Sequence, residues 1–440
     1  MKAQPDHRRT CIIGAGCAGL AAARALAAAD LDIDVFEAKP DIGGNWSYGV
    51  YDATYLISSR NTSGFPEFPM PDGYPDFPSR LQMRDYLQAY VERFGLRRHI
   101  GFGQEVTSLR SVGDDVAPQW LVTTAARVER TYDSIVVANG HLWDKVIPAC
   151  AGTFSGNQVH SRDYRNVADI SGRQVLVVGA GNSGCDLVAE AAFAGLDVTL
   201  SMRRGHWFLP KTLFGVPRGE LIIGKLPTWL QRPVLAWLSY VVLGHIERRG
   251  LPRPDQPLLT EPPIINSLLF YLLEHGRVRI APEIERFDGN AVVFRNGQRE
   301  NFDTILWATG YKTTFPFLED GHLDWANGVP LRLGGGAVAP RAPGLYFNGL
   351  ASPRGGNLPM HSACAELIAE CVAAQRVAGG RKLLSELRKY GSPTPVMDGS
   401  VADIISDARR SQRAAFALRR SSVGSQPRGV TAQSKPNSIA

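Results

Sequence analysis

Apolar residues gather in this chain into short unbroken runs that stop at small or glycine residues. "RTCIIGAGCAGLAAARALAAAD" (9–30) opens with one such run, turns through Gly14, Gly16 and Gly19, and continues as an alanine-rich stretch. A second run, "LDIDVFEAK" (31–39), places Glu37 at its end. The same order recurs in "RQVLVVGAGNSGCDLVAEAAFAGLDVTLSMRRG" (173–205), where a strand over 174–178 leads into Gly179, Gly181 and Gly184, then a helix, then a strand near 197–202. Two further runs, "SIVVANGHLWDKVIP" (134–148) and "TILWATGYKTTFPF" (304–317), each end in a small residue, a polar residue and Gly. Short apolar runs alternating with helical stretches predict an α/β fold. The most apolar segment, "LPTWLQRPVLAWLSYVVLGHIE" (226–247), is broken by Pro227, Arg232 and Pro233. Its uninterrupted part falls short of the roughly 20 residues that a membrane span needs. Buried helices are the expectation there, and a surface that dips into a membrane or covers an apolar substrate channel is the rival. A helix is expected over 401–420. The tail 421–440 has no acidic residue and no apolar period, and disorder is expected.

Composition then removes several classes of function. The chain has 440 residues, enough for two or three domains, and its net charge of +6 comes from 48 basic and 42 acidic residues spread without a basic block. A nucleic-acid partner is therefore not expected. The six cysteines (Cys11, Cys17, Cys150, Cys185, Cys364 and Cys371) form no C-x-x-C pair, so neither a redox dithiol nor a zinc knuckle is read, and no metal is expected. Reduced thiols and no targeting segment point to a cytoplasmic protein.

Strand, glycine turn, helix, strand and terminal acid together make a dinucleotide fingerprint. Gly14 permits the tight turn, Gly16 lets the backbone approach a pyrophosphate, and Gly19 lets helix pack on strand, with phosphates at the helix N-terminus. Glu37 would accept from ribose hydroxyls. In the second unit, the same interval that leads from Gly14 to Glu37 leads from Gly179 to Met202, with Arg203 and Arg204 beside it. A carboxylate at that place would repel a 2′-phosphate, whereas arginines bond to it. The second site should prefer NADPH; two solvated arginines at a strand end are the plainer reading. FAD, which lacks a 2′-phosphate, suits the Glu37 site. The expected architecture is thus two Rossmann-like dinucleotide-binding domains, with an NADPH domain (149–308) inserted into an FAD domain (8–148 and 309–400).

Between the two glycine loops lies "FSGNQVHSRDY" (154–164). This F-x-G-x-x-x-H-x-x-x-aromatic stretch resembles the fingerprint of class B flavin-dependent monooxygenases. "EAKPDIGGNW" (37–46), "GAGNSGCD" (179–186) and "WATGY" (307–311) are similar to other motifs of that class, and the resemblance covers about residues 8–365. Tyr164 is followed by Arg165, where the Baeyer-Villiger branch has Trp followed by Pro or Asp, so the match is closer to the flavin-containing monooxygenases, which oxygenate soft nitrogen or sulfur atoms. The resemblance implies FAD, NADPH and O₂, with a C4a-hydroperoxyflavin passing one oxygen to a small-molecule substrate. It implies cofactor contacts at Gly14, Ala15, Gly16, Cys17, Ala18, Gly19, Glu37, Asn45 and Val106, with Trp46, Arg60, Asn61 and Thr62 as flavin or NADP contacts. It also implies contacts at Gly179, Gly181, Ser183, Gly184, Asp186, Arg203, Arg204, Thr309 and Gly310. Asn61, in "SSRNTSGF", would stand near flavin C4a as the catalytic residue, its amide bonding without acting as an acid. In plain sequence terms Asn61 is a turn residue and Trp46 a core aromatic. His160 looks like a hinge residue rather than an acid or base, and a buried structural His is the equal alternative.

Rivals stay open at this point. A disulfide reductase shares the two-domain plan but needs a cysteine pair that the chain lacks. A non-catalytic NADPH-binding scaffold or sensor, Baeyer-Villiger oxidation of ketones, and oxidative decarboxylation of an arylpyruvate each fit the loops. So do a homodimer and a monomer.

Overall fold

The computed structural model describes residues 9–114, 116–221, 223, 228–396 and 400–424. Two five-stranded parallel sheets organise the chain. The first runs, in spatial order, Leu345–Phe347, Ser134–Val137, Thr10–Ile13, Ile33–Phe36 and Ile100–Gly101. The second runs Val278–Ala281, Asp197–Ser201, Gln174–Val178, Thr304–Trp307 and Asn157–His160. Every residue of Thr10–Ile13, Ser134–Val137 and Thr304–Trp307 is buried, as expected of parallel strands covered on both faces.

The two sheets repeat one local design. Gly14 and Gly179 follow the first strand of each with φ of +107° and +101°, a region open to glycine at little cost. A Cβ on either would stand 2.6 Å from a carbonyl oxygen, that of Ala138 or Ala308, at the end of the neighbouring strand. Those are the two runs that the sequence pattern had paired. A Cβ on Gly19 or Gly184 would lie 1.8 Å from the oxygen of Gly14 or Gly179, so the helices Cys17–Ala28 and Asn182–Phe193 pack directly on their own turns.

Alanine lets Cys17–Ala28 sit deep, and it packs against the long helix Leu358–Ala378. The C-terminal helix, Val401–Gly424, covers the far side of Leu358–Ala378. It runs four residues beyond the expected 420, so the first residues of the predicted tail are helical; the rest of that tail, 425–440, lies outside the described residues. Between the sheets the chain passes twice, and the two passages pair with each other. Asp144–Lys145 and Tyr311–Lys312 form a short antiparallel ladder, and Val146 N donates to Gly310 O at 3.1 Å.

The expectation for 226–247 needs correcting. Thr228–Leu243 is a helix with Pro233 inside it, but only one face is covered; Trp229, Trp237, Tyr240, Val241 and Val242 stand in solvent. A helix apolar all round has no period to reveal which face is buried. Among the described residues no helix is long and apolar enough to cross a membrane.

Candidate functional site

The first glycine loop is tied to the end of its second strand. Ala15 N donates to Glu37 Oε2 at 2.7 Å and Lys39 N to Glu37 Oε1 at 2.8 Å, fixing a buried carboxylate beside the helix N-terminus. Gly43 N donates to Ala15 O at 3.0 Å, which brings the "GGNW" turn over the loop. Gly16 caps the helix in extended backbone, and a Cβ there would meet only Gly44, at 3.6 Å. Asn348 Nδ2 donates to Ala18 O at 3.0 Å and to His361 O at 3.1 Å, holding the helix from beneath. Burial pushes the Cys17 thiol up to about 12, so it is a packing group and not a nucleophile. Trp46 packs, partly buried, on the core around this helix. Val106 turns its side chain into a core cluster with Trp120 and Tyr132, and its strand pairs there with Thr124.

At the second loop a Cβ on Gly181 would find nothing within 4 Å, so the start of Asn182–Phe193 is open, with Ser183 in its first turn. Asp186 accepts from Tyr51 Oη at 2.7 Å and from Asn266 Nδ2 at 3.2 Å, and burial raises its carboxyl pKa. These bonds join the two halves of the molecule at one carboxylate. The arginine pair divides. Arg204 makes a two-pronged bond to Glu261, at 2.7 and 2.6 Å, and that bond raises its pKa; Arg203 is exposed and has no ion pair among the described residues. Thr309 Oγ1 donates to Val146 O, and Gly310 lies in the paired passage.

Asn61 stands on the short helix Arg60–Ser63, whose other members are held locally. Thr62 Oγ1 donates to Ser59 O at 3.2 Å, and Arg60 Nη1 donates to Pro71 O at 3.1 Å. The Asn61 amide reaches out and donates to Glu220 Oε1 at 3.1 Å. Glu220 follows the hairpin Thr212–Leu213/Val216–Pro217, and a Cβ on Gly219 would lie 3.6 Å from Thr62 Oγ1. The same hairpin brings Lys211, 5.3 Å above the Phe77 ring, and Arg218, whose buried Nε has no hydrogen-bond partner among the described residues. Burial lowers both of their pKa values. Tyr51, Lys211, Arg218 and Glu220 were not singled out from the sequence. For the last three the signal available was a few isolated charges in the otherwise apolar "FLPKTLFGVPRGELIIG" (208–224).

The "FSGNQVHSRDY" stretch is structural. Phe154 and Tyr164 are buried, and His160 closes the edge strand of the second sheet, opposite Trp307. His160 Nδ1 accepts from Arg162 N at 3.1 Å, its ring meets Tyr311 edge-on at 5.3 Å, and burial lowers its pKa. The arginines of this stretch reach the first glycine unit. Arg162 Nη1 donates to Asn45 Oδ1 at 3.2 Å, and Arg165 donates to Val50 O at 2.6 Å and Tyr48 O at 2.8 Å. Arg165, the departure from the Baeyer-Villiger pattern, is therefore a clamp.

The sequence profile of the flavin-binding monooxygenase-like (FMO-like) family matches residues 7–365. The chain belongs to this family. FMO-like proteins are oxidoreductases that use FAD and NADPH, and this chain is a flavin-dependent monooxygenase of that kind. A non-catalytic scaffold is thereby displaced as the reading of the loops. The FMO-like chain is 30% identical over 379 residues to flavin-containing monooxygenase 5 of Rattus norvegicus, covering 80% of this chain and 71% of the rat protein. It is also 30% identical to the probable indole-3-pyruvate monooxygenase YUCCA8 of Arabidopsis thaliana, over 77% of this chain and 83% of that one. Among solved structures, the flavin-containing monooxygenase of Stenotrophomonas maltophilia superposes with a TM-score of 0.65 at 21% identity, over 84% of this chain and 98% of that one. The cyclohexanone monooxygenase of Rhodococcus sp. Phi1, solved bound to NADP⁺, superposes with a TM-score of 0.71 at 17% identity, over 95% and 99%. At these identities the two structures speak for the fold alone.

Both loops fit their cofactors. A Cβ at Gly181 would find nothing within 4 Å and one at Gly16 only Gly44, which leaves room for a pyrophosphate at each helix N-terminus, and the Glu37 carboxylate stands beside the first loop.

Proposed function

We propose that this FMO-like chain oxygenates a soft nucleophile, an amine or a thioether, of a small molecule, at the expense of NADPH and O₂. FAD would lie in the unit formed by 8–148 and 309–400, on Gly14–Gly19 and Glu37, with Asn45, Trp46, Arg60 and Thr62 at its edge. NADPH would lie in 149–308, on Gly179–Gly184 and Ser183, with Arg203 taking the 2′-phosphate, since Arg204 is engaged by Glu261. When bound, the flavin supplies hydride acceptance and oxygen activation.

What remains for the chain is to bind, orient and keep water out. The observation that carries the reading is Asn61: an amide on a locally braced helix of the first unit that donates to Glu220 of the second. An amide can hold a hydrogen bond to an oxygen without releasing a proton to it. Glu220 fixes which way the amide points, because the Nδ2 group is the donor. The Tyr51–Asp186–Asn266 bonds and the Arg162 and Arg165 clamps keep the two units in register around it.

The test is NADPH consumption by FAD-loaded protein across amines, thioethers and ketones, with each product identified. N-oxide or sulfoxide supports the proposal; ester from a ketone as the preferred product overturns it in favour of Baeyer-Villiger oxidation. The likeness to YUCCA8 favours one second reading, oxidative decarboxylation of an arylpyruvate, and CO₂ release from phenylpyruvate in the same panel would select it.

A further inference from the structure

Arg218 is a cation that the protein leaves without a partner. It opens the turn Arg218–Glu220 at the foot of the hairpin Thr212–Leu213/Val216–Pro217, where its backbone N donates to Lys211 O at 2.9 Å. Its side chain is half-buried and its Nε wholly so, yet the guanidinium makes no hydrogen bond and no ion pair among the described residues. Guanidinium groups taken this far from water are ordinarily paired, because an unpaired one loses hydration that nothing replaces. Other arginines of the two units show the ordinary case. Arg204 is forked onto Glu261, Arg60 donates to Pro71 O and lies 3.5 Å from Asp72, and Arg354 donates to Leu259 O. What Arg218 lacks is an anion, and its planar fork of donors matches a carboxylate.

The phosphates of NADPH and an acid group on the substrate both qualify, and position separates them. Lys211, across the hairpin, is the cation on the cofactor side. Asp186, on the helix Asn182–Phe193 that the second glycine loop starts, opposes the fall that burial imposes on the Lys211 pKa. No carboxylate does so for Arg218, whose pKa burial alone lowers. Its turn packs instead on Arg60–Ser63 of the first unit, where a Cβ on Gly219 would come 3.6 Å from Thr62 Oγ1 and Glu220 accepts from the Asn61 amide at 3.1 Å. The unpaired cation thus shares one short turn with the residue that bonds Asn61. We propose that Arg218 selects substrates that carry a carboxylate, holding that group in a forked bond while the soft nitrogen or sulfur atom is oxygenated. Only the oxygenation half rests on the function proposed above; acid binding at Arg218 stands by itself. A phosphate monoester fits less well, since its charge of about two would face one guanidinium.

The test takes the FAD-loaded full chain with NADP⁺ and two matched probes without a soft atom, phenoxyacetate and phenoxyacetamide, whose binding is followed by the change in flavin absorbance. The parent binds the acid roughly 10- to 100-fold more tightly than the amide, as charge-assisted bonds require. Arg218→Gln removes that preference by weakening the acid and leaves the amide where it was, while Arg218→Lys keeps part of it, having the charge without the fork. Flavin content and NADPH affinity stay parental in Arg218→Gln, and its Tm does not fall, because the substitution breaks no bond within the protein; a structural arginine would lower it. A parent that binds the two probes equally, or neither, overturns the proposal. So does an Arg218→Gln variant that binds the acid as the parent does, or one that loses NADPH affinity with its acid preference intact, which would give the cation to the cofactor. Turnover of (phenylthio)acetate and (phenylthio)acetamide keeps the two readings apart. Sulfoxide from both at equal kcat/KM overturns the selectivity and leaves oxygenation standing, whereas acid binding that depends on Arg218, with no sulfoxide from either, supports the Arg218 site and counts against oxygenation.

Discussion

At the scale of single residues, the role proposed for Asn61 rests on one hydrogen bond, from its amide to Glu220 Oε1. Asn61→Leu removes the donor to Glu220 while leaving both glycine loops and Glu37 untouched. The variant is expected to bind FAD and accept hydride from NADPH at parental rates. Asn61 is exposed, and loss of one such hydrogen bond is worth about 0.5–1.5 kcal/mol, so oxygen reduced at the flavin should escape as H₂O₂ roughly 2- to 13-fold more readily. Hydrogen peroxide formed per NADPH consumed is the measurement, and parental coupling would return Asn61 to a turn residue. The sequence offered Asn61 only through its motif neighbours. Its partner lies 159 residues away on an apolar hairpin, and no local pattern announces such a contact.

At the scale of elements, strand ends and helix starts decide the electrostatics. Arg203 and Arg204 leave the same strand end, yet Glu261 holds only one of them, a difference of side-chain direction that no spacing argument could see. Arg203→Ala should therefore lower NADPH efficiency by roughly 10- to 100-fold, the cost of losing charge-assisted bonds to a phosphate, with NADH little changed. Equal efficiency with the two coenzymes in the parent would count against any 2′-phosphate site here. The first turn of Leu358–Ala378 gives a pH signature. Burial, with a smaller push from His141, lowers His361 to about 3, and its Nδ1 has no partner among the described residues. An unfolded His binds a proton near pH 6.5, so below that pH the unfolded chain takes up the proton first, and stability is lost as pH falls from about 6.5 towards 3. The slope from this one group approaches about 1.4 kcal/mol per pH unit. Thermal unfolding across that range should show it, and His361→Leu should flatten it. Legibility followed burial. Parallel strands covered on both faces read directly as apolar runs, whereas Thr228–Leu243 misled because its exposed rings look, in sequence, like its buried leucines.

For the whole molecule, the clamp at Arg165 ties the stretch after Tyr164 to the first glycine unit. It donates to Val50 O and Tyr48 O, and its own carbonyl accepts from Asp52 N at 2.8 Å. Bonds from a charged donor are worth about 1.5–3 kcal/mol each, so Arg165→Ala should lower Tm and loosen flavin retention together. Arg165→Lys should recover less than half of the loss, since one ammonium cannot serve two carbonyls in a fixed fork. Thermal unfolding, with flavin release followed by fluorescence, measures both; unchanged values would mean that the clamp is idle. The broad plan, an α/β chain with two glycine-loop units, was legible because each unit carries its own complete local signature. The clamp was not, since it is written as one arginine after an aromatic and gains its meaning only from carbonyls more than a hundred residues away.

The ladder between Asp144–Lys145 and Tyr311–Lys312 places the outgoing and returning chain side by side, each just past the corresponding strand of its own sheet. Everything between them hangs from a single doorway. A gene segment spliced into one surface loop of a simpler nucleotide-binding ancestor would produce this arrangement in one step, with both ends already adjacent and no strand of the host displaced. It also means that any turn of the inner segment about that doorway has to break the Arg162, Arg165 and Asp186 bonds first.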